Sequence, residues 1–179
     1  MQIPTRLFLA LCATVGAASA MAQAPAPGAA PGAPPPAPPR ARGPALALAV
    51  EAAQTAVATC TTNGYKTTAT VVDSAGVPIV ILSGDGAPER TQAVGLSKTT
   101  TTIKYKVPSG EIADRVKTDT ALDAEVKADP KIGTARRGAL PIKVGGEIIG
   151  ALSVSGAPGG DKDEVCTQAG LDKIASRLK

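Results

Sequence analysis

The chain has 179 residues, with 19 lysines and arginines against 15 aspartates and glutamates and a formal charge of +4. It contains no histidine and no tryptophan. This composition excludes a Ser-His-Asp triad, an imidazole general base and a His-ligated metal. One Phe, two Tyr and the absence of a dense Lys/Arg cluster argue against nucleic-acid binding. What remains is a small aliphatic domain that would rely on backbone groups, hydroxyls, carboxylates, lysines or a bound cofactor.

Residues 1–22 have the pattern of a secretory signal peptide. A start that carries Arg6 precedes an apolar run over 7–18, and an Ala-Met-Ala motif at 20–22 offers a cleavage point. The run is too short and too weakly apolar to span a membrane. A lipoprotein anchor at Cys12 is the alternative, but this cysteine lies within the run and lacks small neighbours on both sides. We therefore expect a periplasmic or secreted protein.

Residues 23–44 have low complexity, with nine Pro and seven Ala. Such a stretch cannot bury apolar surface, and it predicts a disordered, semi-extended spacer of polyproline type. A Pro-rich ligand for another domain is the alternative interpretation. The folded unit is then expected to cover residues 45–179, which is long enough for one hydrophobic core.

The first half of this unit predicts a helix and a β-hairpin. Apolar residues recur at helical spacing over 45–61, and Asn63-Gly64 ends the helix. They are Leu46, Val50, Ala53, Val57 and Cys60. The β-branched runs 67–73 and 77–83 flank a turn at 74–76. The second run is apolar on both faces, which is typical of a strand covered on both sides.

The last third of the chain predicts a β-hairpin followed by a helix. Strands are predicted over 139–144 and 147–155, joined by the two-residue turn Gly145-Gly146. A helix follows over 161–179, with Asp161 and Glu164 spaced as in a capping box. Its apolar stripe consists of Cys166, Gly170, Ile174 and Leu178.

The middle of the unit is less regular. Residues 89–97 have a helical pattern, but four consecutive threonines at 99–102 favour a strand on propensity. The conformation of residues 97–106 therefore stays open. One or two polar helices are predicted over 111–127. Two hairpins with helices around them, and no βαβ periodicity, predict an α+β domain on an antiparallel sheet.

Residues 140–166, with the block Val154-Ser155-Gly156-Ala157-Pro158-Gly159-Gly160-Asp161, closely resemble the C-terminal signature of the GlcG/HbpS-like haem-binding proteins. Three further features fit this resemblance, which covers residues 45–175. They are Asn63-Gly64-Tyr65, Val71-Val72-Asp73, and Gly84-Asp85-Gly86-Ala87 before a helix with Lys98.

The resemblance implies a profilin/PAS-like fold, homo-oligomers, and the binding or sensing of haem or a similar planar anionic ligand. An envelope protein is a further possible partner. The central helix of the family is Ala-rich, whereas here four threonines follow Lys98 and change the wall of any pocket. This departure and the missing histidine favour the alternative of a structural or interaction domain that has lost its ligand. No base with an orienting partner is visible, so a non-catalytic module is expected.

Lys98, Gly159 and Gly160 are candidates for contact with an anionic ligand, and Asp85 is a candidate pocket residue. Lys98 stands in an otherwise uncharged stretch, and a solvated helix lysine is an equally good interpretation. Gly159 and Gly160 lead into a helix N-terminus, where free N–H groups favour anions, although a structural turn is the more common reason for such glycines. Asp85 lies between two glycines at the end of a strand, either in a pocket or in a tight turn, and the turn is favoured.

For haem iron the available ligand types are few. Tyrosine is a known axial ligand, which makes Tyr105 and Tyr65 candidates, and the threonines at 99–102, including Thr101, would be weak ligands. Lys98 is the remaining nitrogen donor. Acidic residues at 161–164 are interpreted as complements to the helix dipole, and no metal site is expected there.

Two cysteines, Cys60 and Cys166, remain after export into an oxidising compartment. Both lie on the apolar stripes of their helices and should face inward. We therefore predict a disulfide between the first and last helices; two buried free thiols are the alternative.

Overall fold

The computed structural model describes residues 41–179, so the predicted signal peptide and residues 23–40 of the predicted spacer lie outside the described part. The described elements, in chain order, are α1 (Leu46–Thr62), β1 (Thr68–Asp73), β2 (Pro78–Ser83), α2 (Arg90–Tyr105), α3 (Ser109–Arg115), α4 (Thr120–Ala128), β3 (Ala139–Val144), β4 (Glu147–Ser155), α5 (Gly160–Ile174) and a 3-10 turn (Ala175–Arg177). No helix in this part of the chain is long and apolar enough to cross a membrane.

The four strands form one antiparallel sheet in the order β2-β1-β4-β3. Both predicted hairpins are present, and β1 pairs with β4 along its whole length to join them. Gly145 and Gly146, both with positive φ, form the second turn. The predicted α+β class and antiparallel sheet are therefore confirmed.

The two faces of the sheet have different chemistry. One face is aliphatic and packs under α1 and α5, with Val71, Leu152 and Val154 fully buried. The other face is hydroxyl-rich and packs against α2, where Ser153 Oγ donates to the carbonyl of Gly95 at 2.9 Å. The strict alternation of side chains along each strand produces this division.

The threonine run is helical, which settles the open conformation of residues 97–106. Thr99 and Thr101 donate their hydroxyls to carbonyls of the preceding turn, at 2.9 Å in each case. Thr102 Oγ1 reaches the carbonyl of Ala139 across the interface with β3, at 3.4 Å. Because these buried hydroxyls are hydrogen-bonded, the helix does not incur the cost of burying unpaired polar groups. The strand preference of the threonines is therefore overridden.

Helices α1 and α5 pack at very short distance. A Cβ on Gly170 would lie 2.5 Å from the carbonyl oxygen of Ala52, so this crossing tolerates only glycine. The buried face of α1 differs from the predicted apolar stripe, and Leu46 is 62% exposed. The buried face consists of Ala49, Ala52, Ala53, Ala56 and Cys60. The predicted disulfide Cys60–Cys166 joins the two helices, with its Cα atoms 5.6 Å apart.

Two expectations about β2 and α5 are wrong. Strand β2 lies at an edge of the sheet and is not covered on both sides, and Ile81 remains 39% exposed. Helix α5 begins at Gly160 with Gly159 as its N-cap, and no side chain caps it. Asp161 is thus a residue of the first turn and does not form a capping box with Glu164.

Residues at the end of the predicted spacer contact the domain. The backbone N–H of Ser74 donates to the carbonyl of Arg42 at 2.8 Å, and the Arg42 guanidinium pairs with Glu147. Pro44 is buried. Arg42 and Pro44 therefore pack with the predicted folded unit, although they belong to the predicted spacer.

Candidate functional site

A cleft of about 540 Å³ opens where the N-terminal ends of α2 and α5 meet the end of β4. Three of the residues predicted for ligand contact, Lys98, Gly159 and Gly160, line it. The other lining residues are Arg90, Thr91, Val94, Ala113, Asp114, Lys117, Ala135, Arg136, Arg137, Ser155, Gly156, Ala157, Asp161 and Asp163. The fold therefore brings Lys98 to one cleft with Gly159 and Gly160, which lie far from it in the chain.

A buried ion pair closes the inner end of the cleft. Lys98 Nζ donates to Asp163 Oδ2 at 2.6 Å and to the carbonyl of Val154 at 2.8 Å. The two side chains are only 3% and 5% exposed. The other carboxylate oxygen of Asp163 accepts the backbone N–H of Ala157 at 2.9 Å. This one pair therefore ties α2 and β4 to the loop that leads into α5.

Burial opposes the charged form of both partners. It lowers the pKa of Lys98 and raises the pKa of Asp163, and the attraction between the two charges counteracts both shifts. Neither charge would be stable here without the other. The interpretation of Lys98 as a solvated helix lysine is therefore wrong, and so is that of Asp163 as a simple dipole complement.

Sequence reasoning missed Gly138 and the pairing role of Asp163. Gly138 has φ near 124°, and a Cβ there would lie 2.7 Å from Lys98 Nζ and 2.8 Å from Asp163 Cβ. Only glycine leaves room for the pair to close. A signal for the pair was present in the sequence, because a single lysine in an uncharged segment needs a counterion if the segment is buried.

The rim of the cleft is positively charged. Apart from the buried Lys98–Asp163 pair, four cationic side chains line the cleft against two carboxylates. Arg137 is paired with Asp114 and Glu164. Arg90 and Arg136 are exposed, and neither takes part in an ion pair within residues 41–179. These two guanidinium groups are available to an anion that enters the cleft.

The N-terminus of α5 adds to this character. Gly159, with φ near 126°, ends the loop without a side-chain cap, so the first N–H groups of the helix have no side-chain acceptor at the N-cap. The helix dipole places partial positive charge at the same end. Asp161 supplies one compensating carboxylate in the first turn. The cleft therefore combines two guanidinium groups with a helix end, an arrangement suited to carboxylates.

The structure does not bring the remaining predicted residues to this cleft. Thr101 uses its buried hydroxyl for the carbonyl of Ser97. Asp85 lines a separate, smaller pocket together with Tyr65. Tyr105 donates its hydroxyl to Glu125 at 3.0 Å and packs against the cluster formed by α3 and α4. Within residues 41–179, no group of three or more acidic or cysteine side chains is arranged as a metal site.

Beside Tyr105 lies an exposed charged group that we call the Lys104 cluster, consisting of Lys104, Glu125 and Asp129. Lys104 Nζ is 3.1 Å from Glu125 Oε1 and 2.9 Å from Asp129 Oδ2. Hydrogen bonds from Lys104 lower the pKa of both carboxyl groups, and the same bonds raise the pKa of Lys104. The cluster joins α2 to the end of α4, away from the cleft.

The fold and the cleft define a small α+β domain with a basic cleft at the N-terminal ends of two helices. The family model described as "Haem degrading protein HbpS-like" matches residues 45–172, and the chain belongs to this family.

Solved structures agree with this assignment. A double mutant of HbpS from Streptomyces reticuli is 30% identical, with a TM-score of 0.70 over 83% of this chain and 99% of that one. The protein ORFY from Klebsiella pneumoniae is 23% identical, with a TM-score of 0.70 over 82% and 100% of the two chains. PduOC, crystallised in complex with haem, is 18% identical and shares the fold, with a TM-score of 0.67 over 75% and 96%. The comparison with curated proteins found no match.

Proposed function

We propose that this protein is a haem-binding or haem-sensing module that holds the carboxylates of haem in the basic cleft. Membership of the HbpS-like family supports haem as the ligand, as does the haem complex of PduOC. The observation that carries the proposal is the cleft itself. Its volume of about 540 Å³ falls within the range of sites for cofactor-sized ligands, and its rim is positive.

The carboxylates of haem match the residues that the cleft presents. Arg90 and Arg136 suit charge-assisted hydrogen bonds, and the backbone N–H groups at the start of α5 add donors. Val94, Ala135 and Ala157 supply apolar contacts for a planar ring. When bound, haem would supply a redox-active iron centre. The described lining of the cleft does not match that iron, because it contains no His, Cys, Met or Tyr.

Titration of the purified protein with haemin tests the proposal. We expect a shift of the Soret band that saturates at a fixed stoichiometry. Arg136→Glu should weaken binding at least about tenfold, because it replaces a charge-assisted donor by a like charge. Lys143→Glu is the matched control, since this exposed lysine of β3 lies outside the cleft. Equal weakening by both substitutions would mean that net charge alone attracts haemin.

We also propose that the module binds haem without turning it over. The cleft offers no free base with an orienting partner, because Lys98 and Asp163 neutralise each other. Bound haem should keep its Soret absorbance under a reductant such as ascorbate in air. A decay that is faster than that of free haemin, and that Arg136→Glu slows, would overturn this part of the proposal.

Export is a further part of the proposal. The signal-like pattern of residues 1–22 supports it, and so does the Cys60–Cys166 disulfide, which suits an oxidising compartment. Cell fractionation and the intact mass of the recovered protein test it, with cleavage after Ala22 as the expected result. Homo-oligomers and an envelope partner also stay predictions, for which light scattering of the purified protein is the first measurement.

A further inference from the structure

The mismatch between the iron of haem and the side chains of the cleft has a consequence for ligand selection. We propose that the cleft recognises its ligand through carboxylates and not through a metal, so that it binds iron-free and metal-substituted porphyrins as well as haem. This inference rests on the proposed function and specifies the ligand class as planar dicarboxylates.

Lys98 is the one nitrogen donor at the inner end of the described cleft, and both of its contacts are already made. Its Nζ lies 2.6 Å from Asp163 and 2.8 Å from the carbonyl of Val154. To ligate iron, the amine would have to lose its proton and leave Asp163 as an unpaired carboxylate that is 95% buried. Because a buried carboxylate without a counterion is strongly unfavourable, Lys98 stays in the ion pair.

The oxygen donors are no better placed. The hydroxyl of Tyr105 is bonded to Glu125, and Tyr105 is not part of the cleft. Thr91 uses its hydroxyl for Thr68 and for the carbonyl of Pro88. Asp161 is the one cleft carboxylate that makes no ion pair within residues 41–179, and a carboxylate is not among the usual axial ligands.

By contrast, the two arginines that would bind the carboxylates of the ligand are free to do so. Arg90 extends from the first turn of α2 and Arg136 from the segment before β3, so that two separate elements supply guanidinium groups to one cleft. Within residues 41–179, Arg136 donates only to the carbonyl of Thr134, at 3.2 Å. A ligand with two carboxylates on a rigid ring can engage both arginines without any contribution from its centre.

The experiment compares three porphyrins on the intact protein by fluorescence and absorbance titration. Haemin and iron-free protoporphyrin IX should bind with Kd values within about threefold of each other, because they share the same carboxylates. A porphyrin that carries cationic N-methylpyridinium groups in place of carboxylates should not bind. Arg90→Gln and Arg136→Gln should each weaken haemin and protoporphyrin by the same factor, whereas Lys143→Gln should weaken neither.

A spectroscopic measurement gives an independent test. Electron paramagnetic resonance of the bound haemin should show high-spin ferric iron, and Tyr105→Phe and Asp161→Asn should leave this signal unchanged. A low-spin signal, or protoporphyrin binding more than about tenfold weaker than haemin, would show that the iron is ligated and would overturn the inference while the proposed function stands. If haemin itself does not bind, the proposed function fails as well.

Discussion

Loss of the positive charge of Lys98 should destabilise the fold far more than loss of an exposed lysine. Lys98→Met removes the partner of Asp163, whose carboxylate is 95% buried, and it takes one hydrogen bond from the carbonyl of Val154. Breaking a buried pair from one side costs about 3–5 kcal/mol of the free energy of unfolding. Asp163→Asn should cost a similar amount, because it leaves the Lys98 ammonium buried without its counterion.

The double variant Lys98→Met/Asp163→Asn should recover a large part of this loss. The asparagine side chain can still accept the N–H of Ala157 through its oxygen, but its amide group and the Val154 carbonyl lack partners. Each unsatisfied buried polar group costs about 1–3 kcal/mol, which gives a loss of about 2–6 kcal/mol for the double variant. The summed single losses of about 6–10 kcal/mol exceed this value, which gives a coupling free energy on the order of 4 kcal/mol.

Urea denaturation followed by far-ultraviolet circular dichroism measures all four proteins, since the chain has no tryptophan. Lys127→Met is the matched control, because it breaks an exposed pair with Asp123 within α4 and should change the midpoint little. If the loss in the double variant equals the sum of the single losses, the two charges do not stabilise each other and the argument for the inner end of the cleft is wrong.

Three further predictions concern the disulfide, the Lys104 cluster and the N-terminal boundary. Cys166→Ser should lower the free energy of unfolding by on the order of 4–5 kcal/mol, because the bridge to Cys60 closes a loop over 106 positions. Added reductant should have no further effect on this variant. Two free thiols in the denatured, unreduced parent protein would contradict the bridge. Lys104→Met should lower the melting temperature at pH 7, because carboxyl groups with a lowered pKa stabilise the fold fully above their ordinary pKa. This deficit should shrink towards pH 2, because the stabilisation is lost as the pH falls through the lowered pKa; an equal deficit at both pH values would exclude the ion pairs as its cause. Deletion of residues 23–40 should leave the melting temperature unchanged. Deletion of residues 23–44 should lower it, because the contacts of the 41–44 segment are lost. Equal effects of the two deletions would place the boundary elsewhere.

Local patterns in the sequence were sufficient to predict individual helices and hairpins. The β-branched runs around 74–76 and the turn residues Gly145-Gly146 identified both hairpins, and helical spacing identified α1 and α5. The disulfide followed from the inward placement of the two cysteines. These features depend on short-range geometry, in which the side-chain period and the turn residues are visible in neighbouring positions.

The environment of each element was decided by tertiary packing. The apolar residues on both faces of β2 suggested a strand covered on both sides, yet β2 lies at the edge of the sheet and Ile81 is 39% exposed. The threonines at 99–102 favour a strand locally, but in α2 their hydroxyls are satisfied within the helix and across to β3. Propensity is a weak preference, which burial against a polar sheet face can override.

The site shows the same division. From the sequence alone, Lys98, Gly159 and Gly160 were recognised as candidates for anion contact, because a lone cation and a glycine-rich helix start are visible in the residues. That Lys98 is the counterion of Asp163 was decided only by the fold, which places the two side chains 2.6 Å apart although the residues are 65 positions apart in the chain. A charge in a short segment has no fixed partner until distant elements pack around it and remove the water.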